Sequence, residues 1–92
     1  MQVKEDFYSK LRTQLEEQHS FPLLYMFKFI IPADNRRLAM VEALFGETAE
    51  ITTHQSKTNK YISITAKEVM LSAESIISVY QQAEKIEGII SL

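Results

Sequence analysis

The sequence predicts one α+β domain whose core runs βαββαβ, with a further helix ahead of it. Three observations predict it. The run Leu23 to Ile31 is rich in aromatic and β-branched residues and is bounded by proline on both sides, as a strand should be. Two later segments, around Leu38 to Phe45 and Ala73 to Ala83, carry apolar residues at helical spacing. Between them lie two β-branched stretches, and a short apolar run, Ile89 to Leu92, follows the second helix. At 92 residues the chain is long enough for one core and too short to divide it.

Taken in order, Lys4 to Gln18 places Phe7, Leu11 and Leu15 at four-residue spacing among charges, one stripe of an amphipathic helix. Phe21-Pro22 interrupts it, because proline disfavours helical geometry in the residue before it. The strand Leu23 to Ile31 ends at Pro32-Ala33-Asp34-Asn35, where Asp34 or Asn35 can accept a bond from a free amide and cap the next helix. Leu38, Val41, Leu44 and Phe45 form that helix's buried stripe, and Gly46 is expected to stop it with a left-handed cap. Thr48 to Gln55 is β-branched but polar, with Ile51 its one large aliphatic, which suits an edge strand. Ser56 to Lys60 is the turn, and Tyr61 to Thr65 alternates strictly, with Ile62 and Ile64 on one face. Ser72 caps a helix carrying Ala73, Ile76, Ile77, Tyr80 and Ala83, and Gly88 precedes the last strand.

Two right-handed β-α-β crossovers put both helices on one face of a four-stranded antiparallel sheet, in the order 4-1-3-2, a ferredoxin-like sandwich. This order places the most apolar strand centrally and the most polar one at an edge. With Phe27, Phe29 and Ile31 turned to the helices, alternation turns Leu24, Met26, Lys28 and Ile30 to the other face, beside Tyr61. So apolar a face needs cover. The expectation is that the helix bearing Phe7, Leu11 and Leu15, or a second subunit, supplies it. Residues 1–20 are thus read as a helical extension and 21–92 as the domain proper.

Composition narrows the function. Hydrophobic residues make up 46% and charged residues 24%, the balance of a folded globule. The formal net charge of −2 provides no global positive field for nucleic acid or anionic lipid. The absence of cysteine rules out disulfides, thiolate metal sites and cysteine nucleophiles, and fits a reducing compartment. No apolar stretch approaches the roughly 20 residues that span a bilayer, and the N-terminus lacks the apolar core of a signal peptide, so a cytoplasmic location is expected.

The residues Phe21-Pro22, Tyr25-Met26-Phe27-Lys28, Ser56-Lys57 through Tyr61-Ile62-Ser63-Ile64-Thr65, and Tyr80 with Lys85-Ile86 resemble the YbeD-like family of uncharacterised small bacterial proteins, from about Phe21 onward. The resemblance implies a ferredoxin-like fold similar to ACT-type regulatory domains, which bind amino acids between paired domains and adjust a partner enzyme. The family has no assigned activity, so the resemblance transfers no catalytic residue. The turn Pro32 to Asn35 departs from the ACT pattern in having no glycine to let a ligand approach the backbone.

The candidate ligand site is Asp34, Asn35, Arg36 and Arg37, where free amides, the positive end of a helix and two guanidinium groups can hold a carboxylate or phosphate. The competing reading makes Asp34 a cap and leaves both arginines in solvent. The candidate interface is Leu24, Met26, Ile30 and Tyr61 with Phe7, Leu11 and Leu15. A homodimer or partner protein is expected, a small ligand is allowed, and no cofactor or metal is called for. An acylphosphatase needs glycines in the loop after the first strand, and this loop has none. His19 and His54 have no second ligand or nucleophile at a telling spacing and are read as surface residues.

Tyr25 or Phe27 with Tyr61 imitates the aromatics that stack bases in RNA-recognition motifs, and Lys28, His54, Lys57, Lys60 and Lys67 offer a small basic patch. The third strand lacks that motif's glycine and second aromatic. The leading expectation is therefore a non-catalytic regulatory or protein-interaction domain that binds a small anionic metabolite in ACT-like fashion. The alternative is an RNA-binding or ribosome-associated module using the open sheet.

Overall fold

The strand read at Leu23 to Ile31 is β1, Leu23–Pro32, in the computed structural model, which describes residues 3–92. The remaining elements are α1 (Val3–Gln18), α2 (Asn35–Glu42), β2 (Glu50–Gln55), β3 (Tyr61–Met70), α3 (Ala73–Ala83) and β4 (Ile90–Ser91). The sheet order is β2-β3-β1-β4, the expected 4-1-3-2 read from its other end, and every pairing is antiparallel. β1 and β3 pair along their full length, from Leu23 opposite Met70 to Pro32 opposite Tyr61.

Period-two alternation decides which side holds the core. Phe27, Phe29 and Ile31 of β1 and Ile64 and Ala66 of β3 are buried, and they pack with Val41 of α2 and with Ala73, Ile76, Val79 and Ala83 of α3. Burying a side chain such as Phe29 or Ile31 stabilises the fold by about 1.5–3 kcal/mol. Four rings, Tyr25, Phe27, Phe29 and Tyr80, form one cluster of edge and stacked contacts in this layer. α2 and α3 both pack on this one face of the sheet, as expected.

Local signals set the helix starts. Asp34 is extended (φ −143°) and its Oδ1 accepts from the Arg37 amide, so the cap falls on Asp34 rather than Asn35. Ser72 and Ser75 form a reciprocal capping box at the head of α3.

Five sequence expectations need correction. α2 ends at Glu42 instead of near Phe45, and residues 43–45 continue as turns. Gly46 is not a left-handed cap: its N–H donates to Glu68 Oε2 at 2.8 Å, and a Cβ there would lie 3.0 Å from that oxygen. β3 runs on past Thr65 to Met70, because Ala66 and Met70 keep the inward alternation going opposite the first half of β1. At the polar ends the pairing is shorter than read: β2 starts at Glu50, and β4 is confined to Ile90–Ser91.

The placement of α1 decides between the two covers expected for the open face. It does not cover the open sheet face but lies on the helix side, against α3. Leu15 enters the core at 5% exposure, and Leu11 packs against it. Polar partners on α3 and at its C-cap accompany this placement: Tyr8 Oη donates to Glu84 Oε1 at 2.8 Å, and Arg12 Nε lies 2.9 Å from Glu74 Oε1. Phe7, from the same predicted stripe, stays 60% exposed.

Candidate functional site

The short loop after β1 and the turn after α3 meet at one end of the sheet. Asp34 ends the loop, and its two carboxylate oxygens are both used: Oδ1 accepts from the Arg37 amide at 2.7 Å, and Oδ2 pairs with Arg37 Nη1. The amide bond, ahead of the arginine charges, holds the Asp34 carboxyl below the usual carboxylate range. Arg37 Nε then donates to the Glu87 carbonyl at 2.7 Å, so one guanidinium ties the head of α2 to the turn that follows α3. Gly88 makes that turn possible. Its φ of +82° suits glycine, and an added Cβ would stand 3.0 Å from Pro32 Cγ.

Between these segments lies a cleft of about 390 Å³ lined by Asp34, Arg36, Arg37, Met40, Lys85, Ile86 and Glu87. That volume falls in the about 300–1,000 Å³ range of small-molecule sites. Because Asp34 and Arg37 neutralise one another, Arg36 and Lys85 are set against the single carboxylate of Glu87. The cleft is therefore cationic on balance, with Met40 and Ile86 as its apolar lining. Of the four residues expected here, Asp34, Arg36 and Arg37 line the cleft, while Asn35 is exposed and outside the lining. Sequence reasoning missed Lys85 and Glu87. The available signals were Gly88 beyond them and Lys85-Ile86 within the family-like residues.

The second candidate surface is the open sheet face. Leu24 is 64% exposed, Met26 50% and Tyr61 49%, and Ile30 is half-buried. Cross-strand register adds Val69 opposite Leu24, Lys67 opposite Met26, and Ile90 opposite Ile30. Phe7, Leu11 and Leu15 are not on this face, so the structure separates the two halves of the expected interface. Lys28, Lys67 and His54 share the face, but Lys67 also stands opposite Glu50.

The imitation of an RNA-stacking pair does not survive. Phe27 is fully buried, and Tyr25 turns inward so that its hydroxyl meets that of Tyr80 at 2.9 Å. Burial first, and then the bond to Tyr25, raises the Tyr80 hydroxyl well above its ordinary value. Tyr61 is thus the one member of the trio on the open face, because a side-chain period of two cannot put Tyr25 and Phe27 beside it. His19 and His54 are both exposed, as expected. Among the described residues no group of three or more His, Asp and Glu side chains is placed to hold a metal, and no helix is long and apolar enough to cross a membrane.

Fold and site together define a small α+β domain: a four-stranded antiparallel sheet with three helices on one face, the other face open, and a cationic cleft at one end. The chain belongs to the family described as protein of unknown function (DUF493), whose model matches residues 16–92. The match begins within α1, ahead of Phe21. No curated protein and no solved structure gave a match.

Proposed function

We propose that this chain is a non-catalytic regulatory or interaction domain that takes a small anionic metabolite into the cleft between the head of α2 and the turn after α3. The observation that carries the reading is the convergence of Arg36 and Lys85 on one cleft while Arg37, the third cation, is held in place by Asp34 and the Glu87 carbonyl. A carboxylate or phosphate held there would contact both the βα loop and the αβ turn, so binding would report on the relative position of two segments far apart in the chain.

This use of a ferredoxin-like domain is similar to that of ACT-type regulators, which the resemblance to the YbeD-like family also suggests. The missing glycine in Pro32 to Asn35 matters less than the sequence alone implies. The cleft presents side-chain cations and does not require a ligand to press against that loop. The reading includes a reducing, cytoplasmic setting, supported by the absence of cysteine.

Thermal denaturation in inorganic phosphate and in a panel of free amino acids tests the proposal. A ligand that binds only the folded chain stabilises it by about 2.7 kcal/mol at a hundred times its dissociation constant. The expected result is a rise in melting temperature with at least one anion, lost in Arg36→Ala and Lys85→Ala and weakened by added sodium chloride. A melting temperature that none of these anions moves, or one that moves equally in both variants, would contradict it.

A further inference from the structure

The two edges of the sheet are managed differently. β2, at one edge, reads Glu50-Ile51-Thr52-Thr53-His54-Gln55, the polar sequence that keeps an edge from pairing with another chain. The other edge is shared by β4 and β1. β4 pairs with β1 at Ile90 opposite Ile30 and Ser91 opposite Phe29, and Leu92 N donates to Lys28 O at 2.9 Å. Before Lys28, β1 has no strand partner on that side among the described residues. The uncovered segment, Leu23 to Phe27, contains no charge and no proline.

The hydrogen-bonding direction in this segment follows from the register. In an antiparallel strand alternate residues present their N–H and C=O to alternate neighbours. Since Lys28 O points to β4, the N–H and C=O groups of Leu24 and Met26 point the same way, towards the free edge.

We propose that this edge pairs with the same edge of a second copy of the chain, antiparallel and centred on Tyr25, so that two four-stranded sheets become one continuous sheet. In that register Leu24 exchanges its N–H and C=O with the partner copy's Met26 and Met26 with its Leu24, and Tyr25 stands opposite its own counterpart. The neighbouring symmetric registers fail. Centring on Leu24 would set Met26 opposite Pro22, which has no N–H to give. Centring on Met26 would set Leu24 opposite Lys28, whose carbonyl already accepts from Leu92.

Self-pairing also brings no like charges face to face, which is where a strand of mixed charge would lose stability against its own copy. The two-fold axis is perpendicular to the sheet, so both helix layers lie on one side. Phe7, 60% exposed, and Leu92, 69% exposed, line a cavity of about 210 Å³ beside the edge and continue its apolar surface. The pairing does not depend on what occupies the cationic cleft.

Sedimentation of the full chain over a wide concentration range, with amide hydrogen exchange on the same samples, tests this. The expected result is a species of twice the chain mass, with exchange at the Leu24 and Met26 amides slowing as that species forms. Leu24→Lys with Met26→Lys places charge on the edge and should return the chain to single mass. Met26→Pro removes the outward N–H and fixes φ at that position, and should do the same, and the melting temperature at high dilution reports whether each variant is folded. A single-mass chain up to millimolar concentration would overturn the proposal. So would a dimer whose Leu24 and Met26 amides exchange freely, because that dimer would use the open face or α1 instead. A dimer that survives in the folded lysine variant would overturn it as well.

Discussion

Neighbouring residues of β1 lead opposite lives. Phe27 is fully buried against α2 and α3, whereas Met26, one position earlier and of similar hydrophobicity, is 50% exposed. The difference lies in what stands across from each face, since both are large apolar residues of one strand. The helix face is closed by three helices, including α1, while the open face has only its own cross-strand neighbours: Leu24 with Val69, Met26 with Lys67 and Ile30 with Ile90. One face of β1 therefore holds the fold, and the other is left for contact.

The comparison breaks first where burial is deepest. Phe29→Ala removes a ring that is wholly inside, stacked on Phe27 and edge-on to Tyr80, and urea denaturation should show a loss of about 3–5 kcal/mol. A smaller effect is expected from Tyr80→Phe, which takes one partner from the Tyr25 hydroxyl and should cost about 0.5–1.5 kcal/mol. That variant also sharpens the contrast at high pH. The folded Tyr80 hydroxyl holds its proton above the ordinary value of 10.0, so its contribution is intact below that pH and is lost as the unfolded chain ionises. Tyr8, pushed up to about 12 chiefly by burial and then by Glu84, acts in the same direction. Replacing Tyr80 by Phe should therefore flatten the decline of stability above pH 10, which titration of the urea midpoint would show.

The smallest effect concerns the cleft. Asp34 has its proton affinity lowered by the Arg37 amide and by the neighbouring arginines, so its contribution is present above the ordinary carboxylate range. It is lost as pH falls through the lower folded value. Asp34→Asn, which keeps a capping oxygen but not the charge, should shrink the acid-side loss of stability while changing the neutral-pH melting temperature little.

Most of the architecture was legible because each signal had one strong local cause. Proline marked both ends of β1, alternation marked its two faces, and Ser72 marked the head of α3. What was not legible depended on contacts between distant segments. The stripe Phe7, Leu11, Leu15 says that α1 is amphipathic but not what it covers. That was decided by distant contacts: Leu15 with the core, and Arg12 and Tyr8 with Glu74 of α3 and its C-cap Glu84. Gly46 read as a helix stop because glycine commonly is one, yet its role is to leave room for Glu68. The cleft was half legible for the same reason. Asp34 to Arg37 form a local cap motif, whereas Lys85 and Glu87 join them only through the turn at Gly88.

The division of β1 into a holding face and a contact face is the claim on which the rest stands, and adjacent substitutions test it with the least ambiguity. Phe27→Glu and Met26→Glu should be compared by urea denaturation at high dilution, where self-association makes no contribution. The account predicts that Phe27→Glu does not fold, while Met26→Glu unfolds within about 0.5 kcal/mol of the parent, as surface substitutions do. Comparable losses in both variants would mean that the second face is also packed, and would contradict it.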